Sequence, residues 1–490
     1  MQKKTSHPEW AIKCRRPGTE LRCLRGRYYL YEVSCFYDKE KKKPRKKTGK
    51  LLGKVTESEG FVESEKYKLA RLAKKMVVPD LFSNISVKEH GLSLFMLEEL
   101  KFITEPLKET FPSAWGRIFS LAYCRLAHQS ALKNMSYHLG RSWLGHELKL
   151  SNWKARDISL FLRDIGRSRE LAVNYMRRFV NEGDFILADA TEILCKSARI
   201  TLARRGYNSH MDYQGQIGLL YLYSSQSRLP VYYRVIPGNL REVKAFKQCI
   251  MESRAQNVVA IADKGFYSKQ NIEMMTKENI RYIIPLRRDS SQIDYSIMDR
   301  GLVKNGDNYF LYGKRVVWHY ELPATEHRAI LFLDDKLKLE EETDYILRIT
   351  SCPEEHSIDD FHRKKSRFGT MTIATNLEGS PEKIYTAYKS RMSIEIMFDG
   401  LKNVLDADSS YMQNEEALQG WMFINHIALQ IYHSIYTRLF ENDMLNKYSV
   451  SDIIMMLSDI RKAKINGSWI TCEITKPVLA TLGKLGFHIT

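Results

Sequence analysis

Residues 388–402 read YKSRMSIEIMFDGLK, and within them Tyr388, Arg391, Glu395 and Lys402 supply a phenol, a guanidinium, a carboxylate and an ammonium. In an α-helix turning about 100° per residue these four fall within an arc of roughly 60°, so one stripe carries all of them. Ile394, Met397, Phe398, Leu401, Val404 and Leu405 fill the neighbouring arc, as in a helix that buries one side and holds a polar stripe at a cleft. Two more acids stand upstream. FILAD at 185–189 reads as a short buried strand ending in Asp189, and VVAIA at 258–262 as another, followed by Asp263. Carboxylates from separate elements hold hard cations, and two ions about 4 Å apart activate a nucleophile on one side of a phosphorus and stabilise the leaving oxygen on the other. Asp189, Asp263 and Glu395 are thus the expected ligands of two Mg2+ or Mn2+ ions, and phosphodiester cleavage is the expected chemistry. The fold must bring them together.

The elements around them fall into an order. Residues 27–37 (RYYLYEVSCFY) and 51–55 read as paired strands, with KEKKKPRKKTGK at 39–50 as their hairpin tip. Like charges packed this closely repel unless something anionic neutralises them, so Lys41, Lys42, Lys43, Arg45, Lys46 and Lys47 are expected to contact a DNA backbone. Apolar spacings of three and four make 114–132 and 160–180 helical. Beyond them come strands at 217–223 and 231–236, a helix at 242–254, the strand at 258–262, a helix at 268–278 and a strand at 280–286. That order excludes a simple dinucleotide fold and leaves an α/β class, a mixed sheet with helices on both faces. Residues 287–369 read as a β-rich insertion with strands at 309–312, 315–321 and 327–334. A strand returns at 370–375, Ser380 caps the helix that carries the stripe, and 415–440 and 450–464 are helical. The expected divisions are a basic β-rich module (1–90), a helical DNA-binding or scaffold region (91–180), a core in two parts (181–286 and 370–410) interrupted by the insertion (287–369), and a helical C-terminal region (411–490).

Bulk composition narrows the partners. With 490 residues, 44% of them hydrophobic, the chain buries sizeable cores, and 76 Lys+Arg against 58 Asp+Glu give a net charge of +18. Such a balance favours a polyanion, nucleic acid before membrane, and no small-molecule substrate is indicated. The apolar segment 420–439 contains Asn425, His426, Gln430 and His433, which a bilayer makes expensive, so it reads as a core helix. Eight cysteines without a CxxC pair suggest reduced thiols. With no apolar run of signal length at the start, a cytoplasmic location is expected.

Y-x2-R-x3-E-x6-K at 388–402, ADAT at 188–191 and ADKGFY at 262–267 resemble the three signature regions of DDE transposases of the insertion sequence 4 type, whose catalytic core is ribonuclease-H-like. The resemblance spans roughly residues 180–440. It implies that Asp189, Asp263 and Glu395 form the metal-binding triad, that Tyr388 and Arg391 hold phosphates of the transposon end, and that Lys402 contacts the strand near the scissile bond. Trp318, in the insertion, would grip a DNA hairpin intermediate. The implied protein is prokaryotic and nucleoid-associated. It binds terminal inverted repeats in double-stranded DNA and cuts and joins strands as a synaptic homodimer. One departure is Met392, where the family commonly has tryptophan; methionine is expected to fill that packing space. Three alternatives stay open: a recombinase using Tyr388 as nucleophile, which lacks the surrounding Arg/His set; a cleavage-inactive domesticated DNA-binding protein; and a ribonuclease-H-like nuclease without strand transfer.

Overall fold

The aromatic and β-branched run at 27–37 becomes the long strand of an antiparallel sheet in the first of two units, Met1–Ser86 with Lys464–Trp469; the second comprises Val87–Ala463 and Ile470–Thr490. The computed structural model describes residues 7–38, 43–75, 85–150, 152–181, 183–205, 214–238, 242–255, 259–298, 308–323, 327–465 and 467–487. In the first unit β1 (Thr19–Leu24), β2 (Arg27–Asp38), β3 (Lys43–Thr56) and β4 (Gly60–Glu63) form a four-stranded sheet over a small core of Ala11, Leu21, Leu30, Leu52 and Val55. The basic stretch is therefore more than a hairpin tip. From Lys43 onward it is strand, with Arg45, Lys46 and Lys47 opposite Phe36, Cys35 and Ser34. The extended aromatic run offers a ladder of backbone partners beyond Val33, and water on the exposed side chains weakens the repulsion that would otherwise oppose pairing. Lys41 and Lys42 lie outside the described residues.

The second unit is built on a ten-stranded mixed sheet. Its strands are β5 (Phe185–Cys195), β6 (Gln216–Ser224), β7 (Leu229–Pro237), β8 (Val259–Ile261), β9 (Arg281–Pro285), β10 (Tyr309–Tyr312), β11 (Arg315–Leu322), β12 (Arg328–Asp334), β13 (Thr370–Thr375) and β14 (Ser409–Ser410). The order is β10-β11-β12-β13-β9-β8-β5-β6-β7, with β14 pairing β5. β5, β8 and β9 run parallel. As strands buried on both faces require, they are apolar in runs rather than alternating: Ile186, Leu187, Ala188, Ala260 and Ile261 are all fully buried. The insertion is less β-rich than its sequence suggests. Its three strands extend the same sheet through β12 and β13, and it also contains helix Asp335–Ser351, whose DKLKLEEETDYILRITS buries only Tyr345 and so carries little apolar periodicity.

Helices α1 (Trp115–His128), α2 (Ala155–Arg167), α3 (Asp335–Ser351), α4 (Pro381–Lys389), α5 (Met392–Asp399) and α6 (Glu415–Glu441) bear on the site. α6 lies at the centre of the core rather than in a tail. Its Gln430 is satisfied inside the protein: the Tyr175 hydroxyl donates to Gln430 Oε1 at 2.8 Å, and Gln430 Nε2 donates to the Pro230 carbonyl at 3.1 Å. His426 and His433 are enclosed by Tyr221, Tyr233 and Tyr223, and burial lowers both imidazoles to about 3, so they are neutral. Among the described residues no helix is long and apolar enough to cross a membrane. α6 and α2 cross backbone to backbone, because a side chain at Gly420 would strike the Leu162 carbonyl and one at Gly166 the Glu416 carbonyl. Gly420→Ala should therefore cost about 1–3 kcal/mol through overpacking, read as a lower denaturation midpoint at unchanged m-value.

Candidate active site

Strand register brings the two aspartates together. In the parallel pair β5/β8, Leu187 stands opposite Ile261, and Asp189 and Asp263 each follow two residues later. Residues two apart share a face, and adjacent strands lie about 4.8 Å apart, so both carboxylates leave the sheet at one level and on one side. Asp189 does not end its strand as expected. β5 continues to Cys195 because β6 pairs with it as far as Leu194, with Asp189 opposite Tyr221. What ends is β8, and the sheet opens there. Asp263 precedes a short turn, Lys264–Phe266, and makes no capping bond to it, which leaves its carboxylate directed elsewhere.

The stripe is not one regular helix. Ser380 accepts a bond from the Lys383 N–H and starts α4, which stops at Lys389. Arg391, Ser393 and Ile394 then donate to the carbonyls three residues back, of Tyr388, Ser390 and Arg391, at 3.0, 2.9 and 3.0 Å. This tightens the turn, and the Ser390 hydroxyl bonding to the Ala387 carbonyl at 2.6 Å competes with the helical ladder. After α5, Gly400–Val404 widen into a π turn. A side chain at Gly400 would sit 2.8 Å from the Tyr432 ring of α6, so that ring packs directly against the backbone where the helix widens. The carbonyls left over at the end of this turn are met by another helix: the buried Arg125 of α1 donates to Leu405 O and, at 3.2 Å, to Asp406 O, and Gln129 Nε2 donates to Val404 O at 2.8 Å. Arg125 also donates to Asn425 at 3.0 Å and stacks 4.7 Å over Trp421, and although burial lowers its pKa to about 10 it stays charged.

These interruptions decide where each side chain points. Arg391 Nη2 donates to Asp189 Oδ2 at 3.0 Å and lies 3.9 Å from Asp263 Oδ1, and Nη1 donates to Glu395 Oε1 at 2.6 Å. One guanidinium thus touches all three acids. Burial pushes the Asp189 carboxyl up, opposed by Arg391 and the Ala190 N–H and reinforced by Asp263. Burial also opposes the charge on Arg391, yet Asp189, Asp263, Tyr388 and Glu395 together hold its pKa above the ordinary value. Tyr388 is half-buried and its phenol is pushed up, first by burial and then by the carboxylates, against Arg391. Lys402 stands 3.7 Å from Glu192, and Asp399 accepts from Asn403. Met392 is 66% exposed and fills no packing space, which corrects the sequence expectation. Trp318 sits in β11 across from Tyr309, its Nε1 bonded to Asp335 at 2.9 Å.

The donor set suits a hard divalent ion, since all three side chains offer carboxylate oxygens. Among the described residues no three such groups stand close enough to share one ion as they are, and the Arg391 guanidinium lies between them. Beside Tyr388 opens a cleft of about 680 Å3 whose cations are Lys264, Arg287, Arg288, Lys364, Arg367 and Lys389. Arg288 is fixed by a two-pronged bond to Glu341, both contacts at 3.0 Å. No sequence signal marks Arg287, Arg288 and Lys389, which share no periodicity, and Lys264 is marked only by its place in ADKGFY. Arg125→Leu would leave the Leu405 and Asp406 carbonyls and Asn425 without their donor. It should lower stability by at least about 1–3 kcal/mol, measured by urea denaturation.

A family model described as a transposase DDE domain matches residues 181–431, a range containing Asp189, Asp263, Tyr388, Arg391, Glu395 and Lys402. No curated protein matches the chain. Among solved structures, a piggyBac transposase synaptic complex with hairpin DNA is similar at 10% identity over 75% of this chain and 78% of that one, with a TM-score of 0.36, too distant to bear on function.

Proposed function

The chain belongs to the transposase DDE-domain family, whose matched region covers more than half of its length, and on that premise we propose that it is a DNA transposase of the insertion sequence 4 type that cuts and joins strands at terminal inverted repeats. The observation that carries this reading is the convergence of Asp189, Asp263 and Glu395 on the Arg391 guanidinium, from one strand, the residues just beyond a second and a helix. The antiparallel run β7-β6-β5 continued by parallel β8 and β9 supports a ribonuclease-H-like core. Asp189, Asp263 and Glu395 would hold two Mg2+ or Mn2+ ions, which supply activation of water and stabilisation of the leaving oxygen.

The remaining groups bind and orient. The cations of the cleft beside Tyr388 suit a DNA backbone entering the site, with Arg391 offering a planar fork to phosphate and Lys402 a point charge. The half-buried Trp318 presents a ring from the inserted strands, suited to stacking on a base of a hairpin end. Exposed Lys43, Arg45, Lys46 and Lys47 line one strand of the first unit, and a synaptic homodimer on double-stranded DNA would engage two ends at once. A nucleophilic Tyr388 is disfavoured: burial first, and the nearby carboxylates after it, hold the phenol protonated against a single arginine, Arg391, where such chemistry needs an Arg/His set.

Each metal ligand supplies part of several kcal/mol of charge stabilisation, and 1.36 kcal/mol is tenfold in rate. Asp189→Ala, Asp263→Ala and Glu395→Ala should each slow cleavage of a labelled end by on the order of a hundredfold or more while retaining gel-shift binding; normal cleavage by two of the three would sink the assignment. Replacing Lys43, Arg45, Lys46 and Lys47 by Gln should reduce the slope of log K against log salt by up to about three to four, and an unchanged slope would remove β3 from the interface.

A further inference from the structure

The role of Arg391 in the sequence resemblance and its place in the structure differ. A phosphate-binding arginine would be expected to face the cleft, yet here both terminal nitrogens are committed to carboxylates. The Nε of Arg391 is buried without a hydrogen-bond partner, so the guanidinium is held from its outer edge alone. Asp189 and Asp263 emerge side by side from adjacent strands, and the repulsion between two such charges in a half-buried setting needs an opposing cation. Arg391 is that cation. It sits at the tightened junction between α4 and α5, one turn from Tyr388, whose side chain lines the cleft.

We propose that Arg391 is the resident counter-cation of the three acids: it holds Asp189, Asp263 and Glu395 in register before divalent ions arrive, competes with those ions for the same oxygens, and is displaced as they bind. The inference rests on the metal-binding reading of the three carboxylates given above. Once displaced, the guanidinium lies beside Tyr388, free to take a phosphate, so the two roles of one residue follow in sequence. Because competition for shared ligands is reciprocal, the measurable sign is unusual: removing a positive charge that touches the ligands tightens metal binding, whereas removing a merely structural residue weakens it.

The test is calorimetric Mn2+ binding to the full chain without DNA, for wild type, R391Q, R391K and the double variant D189N/R391Q, with melting temperatures in EDTA and in saturating Mn2+. R391Q should bind Mn2+ on the order of tenfold more tightly than wild type, and R391K, which keeps the charge but not the fork, should fall between them. R391Q should also melt lower in EDTA and recover in Mn2+. Equal or weaker Mn2+ binding by R391Q and R391K, with binding lost in D189N/R391Q, overturns the counter-cation while leaving the metal site standing. If D189N/R391Q binds Mn2+ as well as R391Q, the ions are held elsewhere and the metal-binding reading fails together with the inference. Should R391Q not fold, R391K alone decides, since binding no tighter than wild type overturns the proposal.

Discussion

A parallel strand that stops early places two negative charges where neither can escape the other. β8 ends at Ile261 while its neighbour β5 continues, held by β6, so Asp189 and Asp263 stand at one level above an opening in the sheet. The fully apolar run beneath them fixes that level by packing: sliding either strand by one residue would force Ile186, Leu187, Ala260 and Ile261 into spaces shaped for side chains of other sizes. The acids are therefore where they are because of the core under them. Their repulsion is a consequence that some cation must answer, and the third acid arrives on a helix that brings the cation with it.

That helix is positioned from outside the sheet. Ile394 and Met397 bury fully, Gly400 admits the Tyr432 ring, and Arg125 and Gln129 bind the carbonyls at the end of the π turn. The early helical region and the late helix α6 thus meet at the same few residues, with Arg125 bridging to Asn425 and stacked on Trp421. Segments far apart in the chain serve one function, to hold the backbone that carries Glu395 against β5. This explains why an arginine is buried at a place where a hydrophobic residue would pack: a helix end inside a core leaves carbonyls without partners, and a guanidinium supplies several donors at once.

How much of this can be read in the chain depends on whether the cause is local. The apolar runs of β5 and β8, the aspartate after the second, the Ser380 cap and the core character of α6 each rest on a handful of neighbouring residues, and each stands in the structure where the sequence indicates. What was illegible has a distant cause. β5 outlasts Asp189 because β6 pairs with it, the basic stretch is strand because β2 offers a ladder, and the stripe breaks because Ser390 and Gly400 answer to a hydroxyl contact and a ring packed on from α6. A regular helical wheel put Lys402 beside Glu395; with a tight turn before α5 and a wide one after it, Lys402 reaches Glu192 instead.

The charges around the opening also have a division of labour that net charge alone would hide. Three carboxylates meet a single guanidinium, so the site itself retains negative charge and favours small cations. The cleft beside it carries six cations against one acid, Asp289; Arg288 is offset by Glu341, and burial lowers the Lys389 pKa, opposed by Asp334 and reinforced by Arg315 and Arg288. A polyanion entering that cleft would relieve the crowding of like charges, and divalent ions entering beside it would relieve the carboxylates. Each brings the charge that the other's binding surface lacks, and Tyr388 and Arg391 stand at the boundary where the two would meet.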